Sequence, residues 1–341
     1  MELHADDKEQ VVSNGECAAA PLRKGGEAEF SIAVVGPVSA GKSTLLNALL
    51  GRQLLSAGNE ATTASHIRVR HRPRSSRDIT GAFNAAGNLV DLQRGIGAEM
   101  LRALNARPDV TRIHVAGDLG HVAGLRQRVD LHDLPGINNS NDSSHRSIAF
   151  NTLAGVRWSV LLVVLDATAL ATTDEESLLE SVQKVVELYP ERQVIFALNK
   201  VDQLDADCDS PLPVIVNATR ARLQRMGFAS PWVMPIMART AMVARLQMRR
   251  QPISGRQKME LENLAPSLPE LGRVLFESSH MPKVEADRLV PEINSLQHAA
   301  SLGGWASSDS SLVLPTYAAI ASGVRALEGV LEHCLRASRK S

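Results

Sequence analysis

Short apolar runs alternate with helical patterns through the first two thirds of the chain. Seven of these runs have the length and apolar character of buried strands. Strands that alternate with helices form a mostly parallel sheet, and helices cover both of its faces. The pattern therefore predicts an α/β fold. The predicted strands are Phe30–Val35, Ile67–Arg70, Ile113–Val115, Arg128–Leu131, Val160–Leu165, Val194–Leu198 and Trp232–Ile236.

The two ends of the chain differ from this pattern. Residues 1–28 are polar, small and aperiodic, so we expect a disordered tail before a main domain at residues 29–250. Prolines interrupt the sequence that follows, which predicts a short helical region over residues 251–341. One helix there has apolar residues at three-and-four spacing, and packing on the chain's own body is favoured over binding a partner helix. Its apolar residues are Ile320, Val324, Leu327, Leu331 and Cys334.

The composition is that of an ordinary soluble protein. The 341 residues include 37 Lys plus Arg and 37 Asp plus Glu, and this balance argues against a surface built for nucleic acid. Cys17, Cys208 and Cys334 lack the spacing of a zinc site or a disulfide framework. The longest apolar run, Trp158–Leu165, is eight residues long, whereas a membrane helix needs about 20. We expect a cytoplasmic protein.

A phosphate-binding loop follows the first predicted strand. The sequence Gly36-Pro-Val-Ser-Ala-Gly41-Lys42-Ser43 lies between that strand and a helical pattern, as such a loop requires. Backbone N–H groups and the helix N-terminus would bind phosphate, Lys42 would reach the β and γ groups, and the Ser43 hydroxyl would bind Mg²⁺. The predicted phosphate-binding residues are Gly36, Ser39, Ala40, Gly41, Lys42, Ser43 and Thr44.

Two further segments are candidates for magnesium and γ-phosphate contacts. Asp133 follows a predicted strand and would hold Mg²⁺ through water, and the backbone N–H of Gly136 would approach the γ-phosphate. Between these segments and the phosphate loop lies Ala61-Thr-Thr-Ala64, in which Thr63 is preferred over Thr62 as a residue that closes over Mg²⁺.

Asn199-Lys200-Val-Asp202 predicts recognition of guanine. The Asp202 carboxylate can accept hydrogen bonds from N1–H and from the 2-amino group of guanine, which adenine does not offer together. Asn199 would support the loop and Lys200 would lie against the ring. Ala238 follows the last predicted strand, where its backbone amide would contact the guanine oxygen, although Met237 replaces the more typical Ser. The predicted ligand is GTP.

Together these motifs resemble the dynamin family of large GTPases, particularly bacterial dynamin-like proteins. Similarity covers roughly residues 29–250 and includes Val164-Leu-Asp-Ala-Thr-Ala-Leu170. The resemblance implies a GTP-hydrolysing domain that dimerises through its nucleotide face, moves helical levers and often remodels membranes. It would then lie at the inner surface of the cell membrane. Only about 90 residues follow the domain, so we do not expect membrane fission or fusion by this chain alone, and a longer dynamin-like partner is an alternative.

Two positions depart from related GTPases. Ile137 stands where Ras-like GTPases have the Gln that orients the attacking water, and an isoleucine cannot form that hydrogen bond. Val38 occupies the matching position of the Gln that dynamins carry in the phosphate loop, whereas the adjacent Ser39 is retained and could bind a monovalent cation or the phosphates. Slow turnover that dimerisation stimulates is expected, with Lys42, Ser39 and Thr63 as the catalytic residues.

Some patterns leave alternatives open. A weakly catalytic, GTP-gated binding switch in cell division, DNA replication or ribosome assembly is a second reading of the motifs. Arg68, Arg70, Arg72 and Arg74 alternate along one predicted strand, and a solvated face is favoured there over contact with lipid or nucleic acid. His114, His121 and His132 are expected to be structural.

Overall fold

A computed structural model of the chain describes residues 30–56, 65–120, 122, 125, 127–134, 153–205, 210–301 and 313–339. Nine strands in this part of the chain form one sheet. They are β1 (Phe30–Val35), β2 (His66–His71), β3 (Ile79–Phe83), β4 (Leu89–Arg94), β5 (Arg112–Gly117), β6 (Val129–Asp133), β7 (Val160–Asp166), β8 (Gln193–Asn199) and β9 (Trp232–Pro235).

The sheet is mixed but mostly parallel, as predicted. Its strand order is β4-β3-β5-β2-β6-β1-β7-β8-β9, and the five strands from β6 to β9 run parallel to one another. The strand β2 pairs antiparallel with β6 and parallel with β5. Because β6, β1, β7, β8 and β9 are parallel, the segments that follow them emerge at one edge of the sheet. All seven predicted strands are present, with ends that differ by one or two residues.

The hairpin β3–β4 was not predicted from the apolar pattern. Both strands are antiparallel, and β4 is an edge strand whose residues are partly exposed. A strand at the edge with polar residues on it lacks the continuous apolar run that marks the central strands. The turn between the strands did carry a signal in the sequence, Asn84-Ala-Ala-Gly87-Asn88. In the structure Gly87 has a φ of 84° and the Asn84 N–H donates to the Asn88 carbonyl at 3.0 Å.

Helices lie on both sides of the sheet and continue as a helical region after β9. The described helices are α1 (Lys42–Leu50), α2 (Ala98–Asn105), α3 (Thr173–Leu188), α4 (Leu212–Arg225), α5 (Ala238–Met248), α6 (Gly255–Leu264), α7 (Leu268–Ser278), α8 (Lys283–Ser301), α9 (Val313–Ala321) and α10 (Val324–Ser338). Two short 3-10 turns cover Val201–Gln203 and Ala265–Ser267. None of the helices in the described ranges is long and apolar enough to cross a membrane.

The C-terminal helices share the core of the sheet domain. The helix α5 packs between α1 and α9, and α9 also contacts α7. The single C-terminal helix that the sequence predicts is two helices, because Gly323 at a φ of 75° separates α9 from α10. Ile320 therefore lies in α9, and the other four apolar residues lie in α10. Val324, Leu327, Leu331 and Cys334 are buried against the chain's own body, as favoured above.

The expectation of a solvated arginine face on β2 is wrong for two of its residues. Arg68 and Arg70 both pair with the Asp130 carboxylate of β6, and Arg70 Nε lies 3.0 Å from Asp130 Oδ1. Burial alone would raise the pKa of Asp130, but the two guanidinium groups keep it below its usual value. The arginines are structural because antiparallel pairing of β2 with β6 places a buried carboxylate opposite them.

A candidate nucleotide-binding site

The phosphate loop lies between β1 and α1, as predicted. Lys42 is in the first turn of α1, and its side chain folds back so that Nζ donates to the carbonyls of Gly36 at 3.0 Å and Pro37 at 3.3 Å. Ser39 at the tip of the loop has a φ of 62°, and Gly41 has a φ of 96°. These left-handed residues curl the backbone into the concave turn that an anion-binding loop needs. Thr44 follows in the first turn of α1.

Asp133 lies beside this loop, at the end of β6. The Ser43 hydroxyl donates to Asp133 Oδ2 at 3.4 Å, while Asp133 Oδ1 is buried and has no hydrogen-bond partner. Burial raises the pKa of Asp133 to about 6, and burial also lowers the pKa of Lys42 although Asp133 opposes that change. The Lys42 ammonium and the Asp133 carboxylate are therefore both removed from water without enough partners to offset the cost of burying their charges. A hydroxyl and a carboxylate oxygen with a free lone pair are ligands that Mg²⁺ prefers, so these residues fit a magnesium ion.

Asn199 joins the phosphate loop to the loops at β8 and β9. Its Nδ2 donates to the Ala40 carbonyl at 2.8 Å, and its Oδ1 accepts from the Ala238 backbone N–H at 3.0 Å. Gly41 lies against the same amide, and a Cβ there would be 2.2 Å from Asn199 Nδ2. The buried side chain of Asn199 therefore fixes three loops relative to one another, which is the supporting role predicted for it.

Lys200 and Asp202 lie directly after this junction. The Asp202 carboxylate accepts a hydrogen bond from the Thr240 hydroxyl at 3.4 Å, and burial raises its pKa. The Lys200 ammonium pairs with Asp166 at the end of β7, where Nζ is 2.5 Å from Oδ2. A partly buried carboxylate with few partners is suited to a ligand that donates two hydrogen bonds.

The motif residues described so far converge on the edge of the sheet where its parallel strands end. Comparison with known protein families matches residues 32–201 to the model described as the dynamin family. That range includes Lys42, Asp133 and Asn199. The chain carries a dynamin-family GTPase domain.

Two known proteins are similar to part of this chain. The chain is 25% identical over 251 residues to the clamp-binding protein CrfC of Escherichia coli, an alignment that covers 55% of this chain and 33% of CrfC. It is 31% identical over 160 residues to the tRNA modification GTPase MnmE of Ruegeria pomeroyi, which covers 46% of this chain and 33% of MnmE. The chain thus spans about one third of the length of these relatives.

A solved structure of a bacterial dynamin pair has the same fold. It superposes with a TM-score of 0.50 at 15% sequence identity, covering 81% of this chain and 43% of that one. The structure is described as an oligomerised pair that provides a mechanism for long-range sensing and tethering of membranes. At this level of identity the likeness concerns the fold of the dynamin-family domain.

Some predicted site residues lie outside the described residues of this dynamin-family domain. These are Thr62, Thr63, Gly136 and Ile137. The remaining predicted residues lie at one edge of the sheet, and Val38 beside Ser39 is 40% exposed there. Asp166, Thr168 and Thr240 were missed by the sequence reasoning. Asp166 had a signal, because it ends an apolar strand run in the same way as Asp133 and Asn199 do.

Proposed function

We propose that this chain binds GTP with Mg²⁺ and hydrolyses it, as a dynamin-like GTPase whose turnover rises when two GTPase domains meet. The observation that supports this most directly is the convergence of Lys42, Asp133 and Asn199 at one edge of the sheet. Asp202 is linked to the same edge, because Thr240 donates to it and Ala238, two residues before Thr240, donates to Asn199. The proposal assigns the phosphates to the loop at residues 36–44 and the base to residues 199–202 and 238.

The phosphate end works by positioning and by charge. Lys42 would exchange its bonds to the Gly36 and Pro37 carbonyls for phosphate oxygens, and backbone N–H groups of the loop would contact the same anion. Ser43 and Asp133 would hold Mg²⁺, with Thr63 as a further ligand and Gly136 as an N–H donor to the γ-phosphate. When bound, the ion neutralises charge that develops on the phosphate oxygens.

The base end supplies selectivity. Asp202 would accept both N–H groups of the guanine edge. The Ala238 backbone N–H donates to Asn199 Oδ1, so it would contact the guanine oxygen only by giving up that bond. An adenine ring would cover the partly buried Asp202 carboxylate without offering it donors, which costs more than the loss of one hydrogen bond. Lys200 would cover one face of the ring with its methylene stem.

The attacking water needs a group that Ile137 and Val38 do not provide. We assign water positioning to the dimer, in which a second GTPase domain closes the nucleotide face and excludes bulk solvent. Ser39 would contact the phosphates or a monovalent cation in that state. The exposed position of Val38 and Ser39 at the loop tip is compatible with contact to a second copy.

The helical region would transmit the nucleotide state. The Met237 backbone N–H donates to the Ser322 carbonyl at 2.8 Å, so the segment beside Ala238 contacts the junction of α9 and α10. This contact supports the proposal that a conformational change in residues 29–250 is passed on to residues 251–341. The bacterial dynamin pair is described as sensing and tethering membranes. By that similarity we propose that the helical region contacts the inner membrane surface or a longer dynamin-like protein located there.

A weakly catalytic GTP-gated switch is the second candidate, favoured by the isoleucine and valine that replace water-orienting Gln residues. CrfC is named for binding a clamp, and a DNA-replication role for this chain is proposed only by that similarity. The rate of GTP hydrolysis per protein molecule, measured over a range of protein concentrations, distinguishes the two candidate functions. A GTPase activated by dimerisation gains rate as protein concentration rises, whereas a switch hydrolyses GTP slowly at every concentration.

Two variants test the nucleotide site itself. Lys42→Ala is expected to abolish tight GTP binding, and Asp202→Asn is expected to shift preference toward xanthosine triphosphate because an amide donor suits the 2-carbonyl. Equilibrium binding of GTP, ATP and xanthosine triphosphate measures both. Retained tight GTP binding by Lys42→Ala would refute the phosphate site.

Cosedimentation of the protein with anionic liposomes in GTP, GDP or no nucleotide tests the proposed contact with membranes.

A further inference from the structure

Asp166 forms a dense local network beside the base-recognition loop. Its Oδ2 is 2.5 Å from Lys200 Nζ, and its Oδ1 accepts from the Thr168 backbone N–H at 3.0 Å and the Thr168 hydroxyl at 2.7 Å. Asp166 is also the register partner of Asn199 between β7 and β8. The carboxylate is therefore fixed on one oxygen by its own turn and presents the other oxygen to the lysine.

Lys200 depends on this carboxylate for its conformation. Its backbone has a φ of 65°, which turns the chain sharply after β8, and Asp166 is the carboxylate with which the structure pairs its ammonium group. The side chains of Lys200 and Asp166 are 23% and 14% exposed, so the pair is partly shielded from water. A lysine stem has four rotatable bonds, and ordering it costs considerable rotamer entropy.

We propose that Asp166 is a positioning residue for nucleobase binding, which holds the Lys200 stem flat against the purine ring before the nucleotide arrives. This inference rests on the proposed GTP site. It gives Asp166, which lies in the segment 164–170 that resembles the dynamin family, a role that the phosphate, magnesium and guanine motifs do not assign. The residue acts through Lys200 alone. Packing of a stem on a ring face is insensitive to the base's hydrogen-bonding groups, so Asp166 contributes affinity for purines and Asp202 contributes the choice among them.

A double-mutant cycle on the full chain tests this assignment. Asp166→Asn keeps the shape of the side chain and is expected to weaken GTP affinity about tenfold, since the lysine must then be ordered on binding. Lys200→Ala is expected to weaken it at least as much, and the double variant should match Lys200→Ala alone because the two residues act as one unit. Thr168→Val, which removes a bond to Oδ1, should lose about twofold to threefold by the same route.

Two further readouts separate positioning from a general structural effect. Inorganic tripolyphosphate with Mg²⁺ occupies only the phosphate end, so its affinity should be the same for wild type and Asp166→Asn. At saturating GTP the kcat of Asp166→Asn should equal that of wild type, while KM rises about tenfold. Thermal unfolding without nucleotide checks that each variant is folded.

These experiments distinguish a wrong assignment of Asp166 from a wrong assignment of the whole GTP site. If wild type does not bind GTP, or if Lys42→Ala binds it tightly, the proposed function itself is wrong. If wild type binds GTP but Asp166→Asn and Thr168→Val bind it equally well, the role of Asp166 is refuted. Multiplicative losses in the Asp166→Asn, Lys200→Ala double variant, or an equal loss of tripolyphosphate affinity, would also overturn it.

Discussion

Asn199 shows how single side chains hold the nucleotide site together. Both of its side-chain bonds connect to backbone groups far away along the chain, at Ala40 and Ala238. The side chain is buried, so loss of either bond would leave a backbone group without a partner in a dry environment, at a cost of about 1–3 kcal/mol. Residues that contact Asn199 are therefore as sensitive to change as the residues that would contact nucleotide.

Gly41 is the most demanding of these neighbours. Gly41→Ala would put a Cβ 2.2 Å from Asn199 Nδ2 at a backbone φ of 96°. We expect at least a tenfold loss of GTP affinity and a lower Tm, measured by equilibrium binding and thermal unfolding. Gly255→Ala is the matched control, because nothing lies within 4 Å of a Cβ at that position in α6. A Gly41→Ala variant with the stability and affinity of Gly255→Ala would contradict this reading of the loop.

Buried histidines on the sheet make the stability of the protein depend on pH. Nε2 of His66 lies 2.9 Å from Nδ1 of His132, and burial lowers the pKa of His132 from 6.5 to about 3. A histidine that is neutral when folded and protonated when unfolded stabilises the fold above its unfolded pKa, and that stability is lost as pH falls below about 6.5.

Urea unfolding between pH 6.5 and 4.5 measures this loss. We expect His132 to account for a decrease of about 2 kcal/mol in the free energy of unfolding over that interval. The variant His132→Gln cannot titrate there, so its stability should fall less steeply even where its absolute stability is lower. Parallel pH profiles for the variant and the wild type would show that His132 is not buried in its neutral form.

At the scale of elements, short contacts between helix ends and the sheet decide the geometry. The turn between α9 and α10 lies against the end of β9, where Gly323 contacts the backbone of Pro235 and Ile236. The adjacent Ser322 carbonyl accepts the Met237 N–H. Apolar periodicity predicts one continuous helix here, and the requirement for a left-handed residue at this contact is what divides it.

Gly323 can be tested against a glycine in the helix that follows it. Gly323→Ala would bring a Cβ to 2.4 Å from the Pro235 carbonyl oxygen at a φ of 75°, and we expect a destabilisation of about 2 kcal/mol or more. Gly329→Ala adds a methyl group at ordinary contact distance inside α10, so it should be neutral or stabilise by up to about 1 kcal/mol. Chemical unfolding of both variants compares them, and equal stabilities would refute the strain at Gly323.

Most of the buried apolar residues in the described ranges belong to one core, and Ile79 and Phe83 of β3 form a small second cluster. Residues of β1, β7 and β8 belong to the same buried cluster as residues of α5, α7, α9 and α10. Helices that share a core with the sheet also share its stability. The region after residue 250 is therefore proposed to act as a lever while it remains packed on the domain that carries the nucleotide site.

Truncation tests this organisation. A chain that ends at residue 250 would expose the surface of α5 that contacts α9, so we expect it to be insoluble or to unfold at least 10 °C lower than the full chain. A chain that begins at residue 29 should keep the Tm of the full chain, since residues 1–28 are expected to be a polar tail. Thermal unfolding of both chains decides the matter. A stable, GTP-binding chain of residues 29–250 would show that the helical region is an independent unit.

Much of the candidate site could be predicted from the chain because its parts are local. Lys42 contacts Gly36 and Pro37 within six residues, and the phosphate loop, Asp133 and Asn199 each lie at the end of an apolar strand run. The edge hairpin β3–β4 was not predictable in this way, since Thr80 and Gly81 interrupt β3, polar residues end β4, and β3 depends on β5 for a partner. Thr240 was missed because its link to Asp202 crosses from one loop to another.

The sequence by itself determined seven of the nine described strands and the phosphate loop, and it predicts the residues that would read guanine, because hydrophobic period and loop chemistry act over a few neighbouring residues. Tertiary structure alone decided that Asn199 bonds to Ala40, 159 residues away, that Asp130 pairs with both Arg68 and Arg70, and that Asp166 pairs with Lys200. These partners meet only because of the order and direction in which strands pair, and no local pattern specifies that order.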